Sequence, residues 1–413
     1  MRRSFATLAV VVSLSMTGTS SGCAVVNRIA GSATVDLSHA ELRRMNVSLR
    51  KQEQTFCPRE QVQLGIFLSA VPEPGKEEQT YETYVGRGWV NKNDRLDFAS
   101  FSFQPEQAQI DADGWLAPVQ TLQSTAGHEL SVRVTYNPSP TNFSTVYKWK
   151  PDYACITSAS IVGSDATPAA PGKDAPPARP GQLGGVMSAA GDGPDGTLGG
   201  PGSEGGAGGA GPKVRAVVSY VKTPFYDKLI GIRLTGAMTD FVLVHPGRPY
   251  VIHSVGGKGG AGGPGGKGGA GGSGGSGNPG GHGGNGGAGG VGGAGGVGGG
   301  GGSIELVYDA RSPDLATAVT LDVSGGAGGA GGKGGDGGDA GLGGKGTSPP
   351  SNPATAPNGI RGHEGNNGQA GNVGRQGANG TANVHAGEVG DAFAGLSDVT
   401  VVAGGPLHPH AGH

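Results

Sequence analysis

The chain has 413 residues, of which 88 are glycine and only 35% are hydrophobic, which argues against one uniformly packed globular enzyme. That length leaves room for two or three domains. The formal net charge is -2, so there is no basic footprint of a nucleic-acid binder, and no nucleic-acid partner is expected.

Arg2 and Arg3 precede a short apolar run, Phe5 to Met16, which has the layout of a secretory signal and is too short to span a bilayer as a mature helix. Ser20-Ser21-Gly22-Cys23 follows. It resembles the lipobox of bacterial lipoproteins, in which the cysteine is lipidated and becomes the first mature residue. The Gly22-Cys23 pair fits that pattern; Ser20 departs from it, because leucine is usual three residues before the cysteine. Ordinary secretion with cleavage near Ala24 is the alternative. With Ala24 rather than an aspartate after the cysteine, the resemblance implies sorting to the outer membrane of a Gram-negative envelope. Residues 1–22 are then a signal peptide and 23–32 a lipidated tether, with the membrane as partner through the lipid. If Cys23 is acylated, Cys57 and Cys155 remain as an even pair in an oxidising compartment, where a disulfide is expected. The alternative is two buried free thiols. The bridge would close a loop of about 100 residues, for which the chain-entropy account gives on the order of 4–5 kcal/mol.

Residues 33–162 have ordinary composition and read as a small antiparallel β-sandwich. Val62–Leu68, Leu96–Phe103 (changing phase midway, as at a bulge), Leu130–Tyr136, Asn142–Trp149 and Tyr153–Ile161 are the expected strands, separated by Pro, Asn, Asp and Gly clusters. The disulfide would tie the first strand to the last. Asp111-Ala112-Asp113-Gly114-Trp115 begins like a calcium loop but lacks the third acidic position and the distant glutamate. An Asp-Gly turn followed by a buried tryptophan is the better reading.

Residues 163–183 are rich in proline and alanine and read as an extended, semi-rigid linker. The unit at 184–404 alternates β sequence with glycine of period three. Glycine falls at every third residue from Gly193 to Gly211. Val214–Val255 is ordinary β sequence. From Gly256 to Ser303 the chain forms sixteen Gly-Gly-x triplets, interrupted only at Gly277-Asn278-Pro279. Ser303–Tyr308 and Ala318–Val323 are strands. Gly325–Lys345 repeats Gly-Gly-x with Ala340 as the one substitution, and Gly359–Gly380 keeps glycine only at every third position. Asp398–Val402 is the last strand, and 405–413 a histidine-containing tail.

A period of three matches neither an α-helix nor a strand. It matches polyproline II, which makes no internal hydrogen bonds. Each long run has a turn signal at its middle or end, Asn278-Pro279 and the Pro-rich stretch near Ser348. The expected architecture is therefore mostly β: an N-terminal antiparallel β-sandwich, then a β-sheet module carrying a polyglycine-II helix bundle of out-and-back arms. A row made only of glycine lets a neighbouring backbone approach closely enough for N–H···O=C bonds. Gly-Gly-x has two such rows and belongs in the centre; Gly-x-y has one and belongs at an edge. A flexible glycine linker is the main alternative, but it needs no phase. A collagen triple helix is the other, but Gly359–Gly380 contains no proline.

These runs look like the PGRS-type Gly-Gly-x repeats of mycobacterial surface proteins, without their PE-type N-terminal domain. Their layout is similar to the glycine-rich snow-flea antifreeze fold. With the lipobox-like site, the chain resembles glycine-rich, collagen-like bacterial lipoproteins. An ice-binding role would need a flat, regular Thr/Ala face, whereas the exposed row mixes Lys, Asp, His and Val.

No nucleophile elbow, phosphate loop or paired zinc-ligand spacing is present. Gly331–Asp336 matches the start of one calcium-binding nonapeptide, once only, so Asp336 and Asp339 read as solvated. His408, His410 and His413 could bind a metal weakly, but a polar tail is the plainer reading; His245 and His253 read as packing or turn residues. No catalytic residue, cofactor or metal is expected. The sequence points to a non-enzymatic, lipid-anchored outer-membrane protein with a structural or adhesive surface role. The second reading is a ligand-binding module for envelope polysaccharide, favoured if aromatics around Tyr81, Tyr84 and Trp89 are exposed. Polysaccharide or other surface proteins are the partners either role requires.

Overall fold

The computed structural model describes residues 35–49, 55–83, 95–118, 121–351 and 356–403. The protein is mostly β, with several antiparallel and mixed sheets. It divides into two compact units, 1–120 with 128–152, and 121–127 with 153–413.

Among the described residues the first unit holds nine strands: β1 (Glu41–Leu49), β2 (Thr55–Phe56), β3 (Val62–Val71), β4 (Gln79–Glu82), β5 (Phe101–Glu106), β6 (Ala108–Ile110), β7 (Trp115–Pro118), β8 (Leu130–Tyr136) and β9 (Ser144–Pro151). One sheet runs β1-β3-β7-β6 with β4 on β3; the other runs β2-β9-β8-β5. Period-two patterning fixes which side faces inward. On β8, Val132, Val134 and Tyr136 are buried while Arg133 is exposed. Both sheets feed one apolar cluster, with Val47, Leu64, Ile66, Leu68, Val132, Val134 and Trp149 among its members. Two tyrosines add polar ties: Tyr136 Oη accepts from the Leu37 amide at 3.0 Å, and Tyr147 Oη donates to the Met45 carbonyl.

The expected strand Leu96–Phe103 begins later than its composition suggested. The Asp97 carboxylate accepts from the Ala99 amide and caps a 3-10 turn at Phe98–Ser100, and the strand starts at Phe101. A short polar side chain offered the backbone a local partner that competes with the ladder. The expected strand Tyr153–Ile161 also resolves differently: Tyr153–Cys155 is a 3-10 turn, and only Ser158–Val162 is extended.

That strand, β10 (Ser158–Val162), belongs to the second unit with β11 (Lys213–Lys222), β12 (Leu229–Gly236), β13 (Asp240–Val244), β14 (Tyr250–Val255), β15 (Ser303–Asp309), β16 (Val319–Asp322), β17 (Thr381–Gly387) and β18 (Thr400–Val401). One sheet is β10-β14-β16, all parallel. The other is β13-β12-β11-β15-β17 with β18 on β11; its β11-β15-β17 part is parallel.

The period-three segments connect these two sheets. Arms 1, 3 and 5 (163–184, 256–277 and 325–346) leave β10, β14 and β16. Arms 2, 4 and 6 (191–211, 280–302 and 356–380) return to β11, β15 and β17. In arms 3 and 4 two of every three backbone N–H groups donate to a carbonyl of a neighbouring arm, and in arms 1, 5 and 6 one of every three does. Arm 1 donates to arm 3 (Ala169 to Ala261, 2.9 Å) and arm 3 to arm 5 (Gly262 to Ala330, 2.9 Å), in the order of β10-β14-β16. Arm 2 donates to arm 4 (Gly202 to Val291, 2.8 Å) and arm 4 to arm 6 (Gly292 to Gln369, 2.8 Å), in the order of β11-β15-β17. Cross-bonds join each arm to the next in antiparallel sense, as in Gly293 to Gly263 and Gly332 to Gly293, both 2.8 Å. The lateral order of each parallel sheet thus continues into three arms. The segment expected as a linker, 163–183, is arm 1, bonded along its length from Ala166 to Gly184.

Candidate functional site

The surface of the second unit is set by which residue of each triplet turns outward. In arms 3 and 4 both glycines of a triplet point at neighbours. A Cβ on Gly295 would lie 2.0 Å from the Gly329 carbonyl oxygen, and one on Gly296 would lie 1.9 Å from that of Gly206. Only the third residue has room for a side chain. Arm 3 therefore presents Lys258, Ala261, Pro264 and Lys267, and arm 4 presents His282, Asn285, Ala288, Val291, Ala294 and Val297.

An outward third residue has an amide with no backbone partner in the array. Side chains from adjacent arms cap several of these. Asp165 and Asp174 accept from the Lys258 and Lys267 amides at 2.7 Å. Asp192 and Asp195 accept from the His282 and Asn285 amides at 2.6 Å. His282 Nδ1 and Asn285 Oδ1 in turn accept from the Ile360 and His363 amides, at 2.9 and 2.8 Å. These aspartates are charge-assisted acceptors in exposed positions. Reading the sequence for periodicity alone missed them, although Asp192 and Asp195 sit three residues apart in step with the glycines. Asp339 faces Lys267 Nζ at 3.4 Å in an exposed pair.

Two acidic groups in the sheets are held charged. The Asp309 carboxylate is buried and receives Nε and Nη2 of Arg311, the Arg311 amide and Ser219 Oγ. The Arg311 bonds outweigh burial and lower its pKa to about 2. Asp322 on β16 sits opposite His253 on β14, with Nδ1 to Oδ2 at 2.8 Å. That bond, aided by the Ser324 amide, also lowers the Asp322 pKa. His245 lies in a turn, its Nδ1 2.9 Å from the Pro246 carbonyl.

A cleft of about 560 Å³ opens on the β11-β15-β17 sheet, lined by Lys213, Arg215, Thr235, Glu305, Asn383 and His385 among others. Glu305 lies 3.5 Å from Arg215 and 3.7 Å from His385, so its carboxylate has a neighbour on either side. In the first unit a groove of about 440 Å³ is lined by Gln61, Gln109, Ile110, Asp111, Trp115 and Ala117.

Cys57 and Cys155 are disulfide-bonded to one another. Cys23, the tail histidines His408, His410 and His413, and Tyr84 and Trp89 lie outside the described residues. Tyr81 is buried, 4% exposed on β4, so it supplies no surface aromatic. Trp115 reverses the opposite expectation and is 42% exposed. The Asp-Gly turn before it forms, with Gly114 at φ 75° and the Gly114 amide donating to the Asp111 carbonyl. Gly114 takes the inward position instead, against the Phe98 ring, and the strand alternation then sends Trp115 outward. Among the described residues no group of three or more His, Cys, Asp or Glu is placed to hold a metal ion, and no helix is long and apolar enough to cross a membrane.

No family model matches the chain. No curated protein matches it. Among solved structures it is similar to the nine polyproline type II helical bundle springtail antifreeze protein from Granisotoma rainieri, with 24% identity over 51% of this chain and 97% of that one and a TM-score of 0.13.

Proposed function

We propose that the chain is a lipid-anchored protein of the outer membrane with a structural or adhesive surface role, and that arms 1 to 6 form a polyglycine-II bundle. In this reading the first unit is an antiparallel β-sandwich and the second is a stiff rod. The observation that carries the reading is the hydrogen-bond pattern of arms 3 and 4. Each has four neighbouring arms, and each buries both glycines of its triplets against carbonyl groups of those neighbours. A polyproline-II chain makes no internal hydrogen bonds, so this lateral network is what offsets the backbone entropy of so many glycines. At 3.1 Å per residue an arm of about 22 residues spans roughly 70 Å. Such a rod buries little apolar surface and presents mostly small and charged side chains, which suits a spacer or a presenting surface better than a catalytic pocket.

Growth of the bundle is limited by its edges. Arm 6 has one glycine row; its other rows carry Arg361, Glu364, Asn367 and Gln376, and Ile360, His363, Asn366 and Gln369. Side chains there keep a seventh backbone at a distance, as charged edge strands do in sheets. For the anchor, acylation at Cys23 with several chains would hold stably where a single chain would not. Envelope polysaccharide or neighbouring surface proteins are the partners such a role requires.

The test is expression of the full chain in a Gram-negative host, followed by membrane fractionation and mass analysis of the N-terminal peptide. The reading expects outer-membrane recovery with an acylated Cys23, and release to the soluble fraction by Cys23→Ala. A soluble wild-type protein with an unmodified N-terminus beyond residue 23 would overturn it.

A further inference from the structure

The groove around Trp115 lies in the first unit and owes nothing to the glycine-rich arms. Its floor is the outward side of β3, β7 and β6. Register places Gln63 opposite Trp115, and Gln109 opposite Ala117. Period-two alternation therefore puts Gln63, Trp115, Ala117 and Gln109 on one face. Gln61 and Asp111 complete the rim.

The polar groups here divide into those that hold the site and those left over. Asp111 Oδ1 accepts from the amides of Asp113 and Trp115, at 3.0 and 2.9 Å, and Gln63 Nε2 donates to the Asp113 carbonyl at 3.0 Å. These bonds fix the turn that carries the indole. The side-chain amides of Gln61 and Gln109, the indole Nε1–H and Asp111 Oδ2 make no hydrogen bond among the described residues. A rigid strand thus presents one aromatic ring, two unengaged amides, each both donor and acceptor, and one free carboxylate oxygen.

We propose that this groove binds a neutral polysaccharide, one pyranose ring stacking on the Trp115 indole while Gln61, Gln109 and Asp111 take its hydroxyl groups. A pyranose has an apolar face of C–H bonds and a rim of hydroxyls, each able to donate and accept, which is the complement of an indole ringed by amides and a carboxylate. The groove is open rather than enclosed, which admits a segment within a chain. Its size falls in the range of small-ligand sites, about 300–1,000 Å³. Among the described residues that line it the one charge is the negative one of Asp111, so anionic polymers are disfavoured. The apolar surface is a single ring beside two half-buried residues, Ile110 and Ala117, which is small for the buried anchor cluster of a protein partner.

The test uses the full chain extracted in a polyoxyethylene detergent, since a sugar-headed detergent would compete. It is incubated with insoluble cellulose, curdlan, xylan, mannan and chitin, and depletion from solution is measured. At least one polymer should deplete the wild-type protein, reversibly by its soluble oligosaccharide. Trp115→Ala should weaken that binding by about tenfold or more, Gln109→Ala by roughly threefold, and Trp115→Phe should fall between wild type and Trp115→Ala. Trp115 and Gln109 are exposed, so the variants should stay folded, and far-UV circular dichroism is the check. Depletion by none of the polymers, or equal binding by Trp115→Ala, would overturn the proposal. So would a wild-type dimer in sedimentation velocity that Trp115→Ala dissociates, which would assign the groove to a second copy of the chain. Outer-membrane location and the state of the arms do not enter these readouts, so failure here leaves the reading above intact.

Discussion

Gly296 approaches Gly206 so closely that a Cβ on Gly296 would lie 1.9 Å from the Gly206 carbonyl oxygen. Four positions on, Gly300 turns outward, and its nearest obstacle is the Ala378 carbonyl oxygen at 3.8 Å. The same substitution should therefore have opposite outcomes at the two sites. Gly296→Ala forces backbone apart in the centre of the array and should destabilise by about 2–3 kcal/mol or more, as overpacking does. Gly300→Ala should be neutral or stabilise by up to about 1 kcal/mol, by restricting the unfolded chain. Thermal unfolding of the two variants beside wild type checks both.

The outward amides give a second, local prediction. Asp192→Ala removes the acceptor of the His282 amide. The expected cost is about 0.5–1 kcal/mol, typical of an exposed side-chain cap. The sharper readout is amide exchange, which should speed up at His282 and remain as in wild type at Gly283, whose amide is bonded to Ile360 at 2.8 Å.

Acid should weaken the second unit through Asp309. Its pKa is lowered to about 2 by Arg311, so the folded state holds the carboxylate charged more readily than the unfolded chain does. Such a group contributes fully above the unfolded value of about 3.9 and loses its contribution as pH falls toward 2. Wild type should lose on the order of 2 kcal/mol across that window from this group. Asp309→Asn should already be destabilised at pH 7 and show a flatter dependence below pH 4. Denaturant unfolding between pH 2 and 7 compares the slopes.

The Cys57–Cys155 bond closes a loop of about 100 residues, so its loss should cost on the order of 4–5 kcal/mol in the chain-entropy account. The Cys57→Ser, Cys155→Ser double variant should unfold at lower denaturant than wild type. Treating wild type with a reductant should reproduce that shift, and the variant should not respond.

Much of the β structure was legible because apolar alternation states its own period. Leu130–Tyr136 reads as a strand and is β8; Val62–Leu68 lies within β3. Tyr81 and Trp115 were less legible, because each lies in a four-residue strand too short for alternation to fix its facing. Trp115 was decided by Gly114, whose place against Phe98 takes up the inward position. Residues 163–183 show a different limit. Proline and alanine dominate their composition, but Gly163, Ala166, Ala169, Gly172, Ala175, Ala178 and Gly181 keep a small residue in step at every third position. The groove around Trp115 had no sequence signal beyond the lone aromatic, since Gln109 on β6 and Gln61, just ahead of β3, come to it only because β3 and β6 both pair with β7.

Residue-resolved amide exchange on the full chain tests whether the glycine arms are hydrogen-bonded to one another. Mutual bonding gives a period-three pattern across arms 3 and 4. The glycine amides, such as Gly289, Gly290, Gly292 and Gly293, should exchange slowly, and the outward amides of Ala288, Val291 and Ala294 quickly, with the slow set lost together on heating. Random-coil rates at every position of 256–302 would contradict it and leave the glycine segments as flexible spacers between β elements.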